Sequence, residues 1–317
     1  MIHSYIDSDI WEEEFEQIWS QEHFDRMWTL MQPLVSKYIV EYLDEIIFSN
    51  GSLKPQNNIS LHIRKLIAEN SKMNDKYVKI FSPDLMEEYQ EDVEGFKGHT
   101  LNKECPVIFH TWHSKAVALK DWKNQYKITK PQELYDVFYN IMDFASEYNE
   151  EFSEAKLNEI DKIDNNNLRG VADDGCYLRG VIGTGIISTI LNSMYPRVFP
   201  GHFKIGLFAL YMLSAQSTLD MKTNSSEFIM VKDDAHSKTG VIEAEHNYYY
   251  SYATFGLYSL RIYRVLSEEI ARRFALTFPD EYRYVLTNDF YGYVFEKNKE
   301  GIKTLLGNDD ILKFTYL

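Results

Sequence analysis

Positive charge is scarce in this chain: 33 lysines and arginines face 48 aspartates and glutamates, for a formal net charge of −15 and a pI near 5.1. That balance repels phosphate backbones, so any nucleic-acid contact must come from a local cluster of cations. Cysteine is nearly absent. Only Cys105 and Cys176 occur, which excludes a disulfide framework and a four-thiolate zinc site and implies a reducing, intracellular setting. Long apolar runs are missing as well. No window holds the roughly 18 uncharged apolar residues of a membrane-spanning helix, and the densest stretch, Ile186 to Leu213, is cut by Pro196, Arg197, Pro200 and Lys204. The opening MIHSYIDSDIWEEEFEQ is acidic and has neither the basic start nor the apolar run of a secretion signal. A cytoplasmic protein with no membrane partner is the expectation.

Aromatic residues are abundant, with 23 tyrosines and 19 phenylalanines in 317 residues, so ring packing is expected to dominate the core. Helical spacing is the commonest pattern. Asp9 and Glu12 resemble a capping pair ahead of Trp11, Phe15, Ile18 and Trp19, and the pattern runs on through Phe24 to Met31. Pro33 predicts a break, after which Val35 to Ile46 resumes. Ile59–Asn70, a segment opened by Thr129 and Pro131, and residues 253–274 are also predicted helices. Residues 74–105 read as a long surface loop, PVIFHTW at 106–112 as a strand, and EFIMVKDD with VIEAEHNYYY as a β-hairpin. The expected fold is therefore α+β, mainly α-helical with a small β-hairpin or sheet in the C-terminal half. The acidic, asparagine-rich stretch at 147–167 reads as a linker. It divides a helical N-terminal region, 1–155, from a C-terminal region, 156–317.

The second region opens on LRGVIGTGIISTILNSMYPRVFPGHFKIGLFALYMLS, from Leu178 to Ser214, where Gly180, Gly183 and Gly185 precede two apolar helical runs. Glycines so spaced predict a tight turn. Leu178, Gly180, Val181 and Gly183 stand where the helix-hairpin-helix element of DNA repair glycosylases has its leucine-x-glycine-valine-glycine hairpin, with Ile182 inserted before the second glycine. The segment resembles that element over about a tenth of the chain. The resemblance implies that hairpin amides at Gly180, Gly183 and Gly185 grip a phosphate, with Arg179 and Arg197 adding charge. It does not extend to the glycosylase aspartate, because Phe199 and Pro200 are followed by Gly201 and His202.

A carboxylate group forms a second candidate. Asp233 and Asp234 end one predicted strand, and alternation puts Glu243 and Glu245 on one face of the next. Asp234, Glu243 and Glu245 suit magnesium, and a bound metal activates water for phosphodiester cleavage. The order resembles a restriction-endonuclease-like nuclease core in which Glu245 replaces the usual lysine. Two weaker groupings are His110 and His113 near Cys105, which lack a fourth zinc ligand, and Arg197 with His202. The latter pair has the arginine-x4-histidine spacing of HEPN-type ribonucleases, but Pro200 and Gly201 interrupt the helix it needs. His236, His246 and the tyrosines at 248, 249, 250 and 252 complete the set, as rings that stack bases or pack on the next helix.

Two functional expectations follow. One is an intracellular protein associated with DNA or RNA, a metal-dependent nuclease of restriction or phage-defence type. The other is a non-enzymatic acidic protein, a DNA mimic or partner subunit that binds a protein partner. An enzyme acting on a small molecule held between helices is a third class that nothing in the sequence excludes.

Overall fold

Helix α1 spans Gln21–Ser49 with Pro33 inside it, so the break predicted there does not occur. Interior proline costs about 3 kcal/mol or more. Against that, Phe24, Met27, Trp28 and Met31 before the proline and Val35, Ile39 and Leu43 after it are all buried on one stripe, each side chain contributing about 1.5–3 kcal/mol. Burial on both sides outweighs the lost hydrogen bond. The computed structural model describes residues 15–49, 54–172, 175–201, 203–219, 221, 226–233, 242–247 and 249–306; Asp9, Trp11 and Glu12 lie outside them.

The N-terminal half is helical throughout its described length. Helix α2 (Pro55–Phe81) is followed by α3 (Pro83–Tyr89) and by a turn of helix at Val93–Gly95 that opens into a π-helix, Phe96–Glu104. The loop expected at 74–105 is thus replaced by structure. Its polar majority hides a thin buried stripe of Tyr77, Ile80, Phe81, Met86, Phe96 and Leu101. PVIFHTW is not a strand but helix α4 (Pro106–His113), with Pro106 in its first turn and the Thr111 hydroxyl bonded back to Val107 O at 2.7 Å. A short apolar run suits either structure, and here proline at the first helical position decides.

Helices α5 (Lys120–Ile128), α6 (Pro131–Glu151) and α7 (Glu154–Glu159) follow. The stretch read as a linker is packed: Phe152, Leu157, Ile160 and Ile163 are buried, and Tyr148 Oη donates to Asn166 O at 2.5 Å. Buried apolar residues on both sides of residue 155 belong to one cluster that runs from Ile18 to Ile302.

Helices α8 (Thr184–Met194) and α9 (Phe203–Leu213) form as their apolar spacing predicts. Helix α9 is buried almost all round, against α10 (Tyr252–Phe274) and α11 (Arg283–Leu306). Gly206 permits that approach, since a Cβ there would sit 2.5 Å from Phe255 Cε2. Strands β1 (Ile229–Asp233) and β2 (Ile242–His246) pair antiparallel, Lys232 opposite Glu243 and Met230 opposite Glu245. Among the described residues no helix is long and apolar enough to cross a membrane.

Candidate functional site

The central glycines do different jobs. Val181 N donates to Leu178 O at 2.9 Å and Gly180 has φ +76°, a four-residue turn with the left-handed third position that type II turns require. Ile182 closes it: Leu178 and Ile182 exchange both backbone hydrogen bonds, and the Ile182 side chain is buried. The residue that interrupts the helix-hairpin-helix pattern is thus the hairpin's own clasp. Gly183 is extended at the N-cap of α8 and Gly185 lies in the first turn. The amides of Leu178, Val181 and Ile182 are spent within the hairpin, whereas those of Thr184 and Gly185, in the first turn of α8, have no intrahelical acceptor. Ahead of the hairpin stand two 3-10 turns, Ile163–Asn165 and Leu168–Ala172, rather than an α-helix.

What sequence reasoning did not assemble is the neighbourhood. Over residues 97–130 the chain carries seven lysines (97, 103, 115, 120, 123, 127 and 130) against only Glu104 and Asp121. Helix α5 lays part of this segment against the hairpin, with Trp122 Nε1 donating to Val181 O at 2.7 Å and Gln125 packed beside Gly180. Two of the lysines are tethered. Lys97 Nζ donates to Thr129 O at 2.5 Å and Lys127 O at 3.2 Å, and Lys123 Nζ to Ser114 O. Burial pushes the Lys97 ammonium below its ordinary range. Lys103, Lys115, Lys120, Lys127, Lys130 and Arg179 are exposed, and the half-exposed Tyr177 ring lies against Gly183. The signal available was the local run of lysine in an acidic chain.

Arg197 does not belong to this face. Its guanidinium donates to Asn149 O and Phe152 O at 2.5 Å each and sits 3.6 Å from Glu154, so it is committed to holding α6 and α7. The arginines of α10 are likewise engaged: Arg264 donates to Leu157, Asn158 and Ile160 carbonyls, Arg261 to Asp161 O, and Arg273 pairs with Asp44. Asp234, His202 and His236 lie outside the described residues. Glu243 and Glu245 occupy alternate positions of β2; no group of three metal-ligating side chains occurs among the described residues.

His110 and His113 are both exposed on α4, while Cys105 is fully buried with its thiol pushed up to about 12 by desolvation. The three do not converge on a zinc site. Of the tyrosine run, Tyr250 and Tyr252 are buried and Tyr249 is half exposed, edge-on to Phe15.

A cavity of about 640 Å³ opens between α1, α2, α8, α9 and α11. On its wall Asp289 Oδ2 accepts from Tyr42 Oη at 2.6 Å and from His62 Nε2 at 2.8 Å. Burial, and then the neighbouring carboxylate, hold the Tyr42 phenol well above its ordinary range. Comparison of the chain with protein-family models, curated proteins and solved structures returned no match.

Proposed function

We propose that this protein binds the phosphate backbone of a nucleic acid through the face formed by helix α5 and the Leu178–Ile182 hairpin. One observation carries this: a lysine-rich segment of an acidic chain has its α5 part packed on the exposed Arg179 turn that leads into α8. Lysine and arginine heads neutralise phosphates, the two first-turn amides of α8 add neutral donors, and the Tyr177 ring offers a surface on which an unpaired base stacks. The acidic remainder of the surface confines binding to this face. A single strand is the fitting substrate, because exposed rings and separated cations suit a flexible backbone.

Nuclease activity is the finer part of the proposal. It rests on Asp234, Glu243 and Glu245 as magnesium ligands, supported by strand alternation at the two glutamates. The alternative, an acidic protein that engages a basic protein partner, draws on the net charge of −15.

Fluorescence anisotropy with labelled single-stranded RNA and DNA at low salt tests the proposal. The triple variant Lys120→Glu, Lys127→Glu, Arg179→Glu is expected to bind at least tenfold more weakly. Its log–log salt slope is expected to be shallower by about 2, from three phosphate contacts at about 0.7 each. Wild-type protein that fails to bind, or a variant that binds equally well, would overturn it. Adding magnesium separates the nuclease step: cleavage lost in Glu243→Ala plus Glu245→Ala supports it, and binding without cleavage removes it.

A further inference from the structure

We infer that helix α4 carries a base-stacking platform, the paired rings of Phe109 and His113, and that a single-stranded nucleic acid crossing the lysines of α5 lays an unpaired base on it. The platform depends on the phosphate contacts proposed above for the α5 face and adds to them a second ring surface besides Tyr177. The two rings lie with centroids 4.2 Å and planes 32° apart, and His110 meets Phe109 edge-on at 5.6 Å. All three side chains are exposed.

The outer ring of the pair is held in place. His113 Nδ1 lies 2.9 Å from Phe109 O, and a carbonyl only accepts, so Nδ1 is the donor. The stack and this bond together fix the imidazole flat on Phe109. Among the described residues Phe109 is the only ring packed on His113, and its exposure leaves the other face to solvent. A ring fixed in advance loses little freedom when a base settles on it.

Its position suits the same ligand. Trp112 of α4 packs on Tyr126 of α5 with centroids 5.6 Å apart, and Lys123 Nζ donates to the carbonyl of Ser114, the residue after His113. Lys120, Lys123 and Lys127 recur at i, i+3 and i+7 and so share one face of α5, which brings the lysine stripe up to the end of α4. Exposed Lys115 follows at once. Helix α5 thus touches α4 through Lys123 and Tyr126 and the Arg179 hairpin through Trp122 and Gln125. The C-terminal end of α4 carries partial negative charge, so a base rather than a phosphate is the fitting group there. Duplex bases are stacked on one another and cannot be offered to the rings; those of a single strand can.

Fluorescence anisotropy over a range of salt, with a labelled oligouridylate, the same strand lacking its bases, and a duplex, tests the platform. Phe109→Ala plus His113→Ala is expected to weaken binding of the oligouridylate about tenfold. Its salt slope should stay that of wild type because no phosphate contact is lost, and affinity for the abasic strand should not change. His113→Tyr, which keeps a ring, is expected to bind as wild type does. The exposed His113→Ser alone repeats the comparison should the double variant melt lower than wild type by circular dichroism. Ring variants that bind like wild type, while Lys120→Glu, Lys127→Glu, Arg179→Glu binds weakly, overturn the platform and leave the phosphate face standing. An altered salt slope in the ring variants overturns it too, since the rings would then act through charge. Wild-type protein that binds no strand removes phosphate face and platform together.

Discussion

Glu227→Ala is expected to destabilise the fold by about 3–5 kcal/mol, the cost of deleting one partner from a buried charged network. Glu227 is 1% exposed and His23, 2% exposed, bonds its Oε2 through Nε2. The other oxygen accepts from Tyr250 Oη at 2.9 Å and Tyr258 Oη at 3.1 Å, and the Glu227 carbonyl accepts from Asn247 at 2.9 Å. Removing the carboxylate strands one imidazole and two phenols where water does not reach them, and each unsatisfied donor costs about 1–3 kcal/mol. Glu227→Gln keeps the shape and most of the acceptors and should lose less. For a chain of this size the alanine variant corresponds to a fall of roughly 10 °C in Tm, measured by circular dichroism together with urea unfolding. A loss below about 1 kcal/mol would show that the network is not a structural anchor.

The second large effect is expected at alkaline pH. Tyr42, Tyr250, Tyr252 and Tyr258 are buried and held well above the ordinary phenol value, chiefly by desolvation, and Tyr284 is pushed up to about 12 by the same cause. Tyr77, Tyr148 and Tyr291 shift in the same direction for the same reason. Below about pH 10 these phenols are neutral in both states and their stabilising contribution is complete. Above it the unfolded chain releases protons that the folded chain retains, so stability falls as pH rises towards the folded-state values. Each such tyrosine removes about 1.4 kcal/mol per pH unit. Several acting together exhaust a stability of about 5–15 kcal/mol within one to two units. Tyrosinate absorbance and loss of helical ellipticity should therefore rise in one cooperative step. Gradual ionisation of these phenols with the helices intact would contradict their burial.

Helices with a broad apolar face were legible in the sequence. The spacing of Leu134, Phe138, Ile141, Met142 and Ala145, and that of Ile187, Ile190, Leu191 and Met194, marks the buried faces that α6 and α8 present. Residues 74–105 were not legible, because three short elements of differing pitch bury one, none and three side chains in turn, and no single period runs through them. Pro106 marked a helix start that the β-branched composition of its neighbours obscured. The hairpin was readable at Gly180, where a positive φ is needed, but not at Gly183 or Gly185, which any residue's backbone geometry accommodates. The lysine face needed the fold, since the partners of Trp122 and Gln125 lie more than 50 residues on. The cavity was less legible still. Tyr42, His62 and Asp289 form no motif, and only the packing of α11 on α1 and α2 joins them.

Helix α1 takes its polar partners from the far end of the chain: His23 meets Glu227 at a separation of 204 residues, and Tyr42 meets Asp289 at 247. A ribosome delivers α1 long before α11. Throughout elongation the stripe of α1 that carries Phe24, Trp28 and Tyr42 has no completed wall to rest against, and both carboxylates that fix its register are still to be made. Contacts of such sequence separation carry a large loop-closure cost and slow folding. The native seat of α1 is therefore completed only once α11 has been made and has docked.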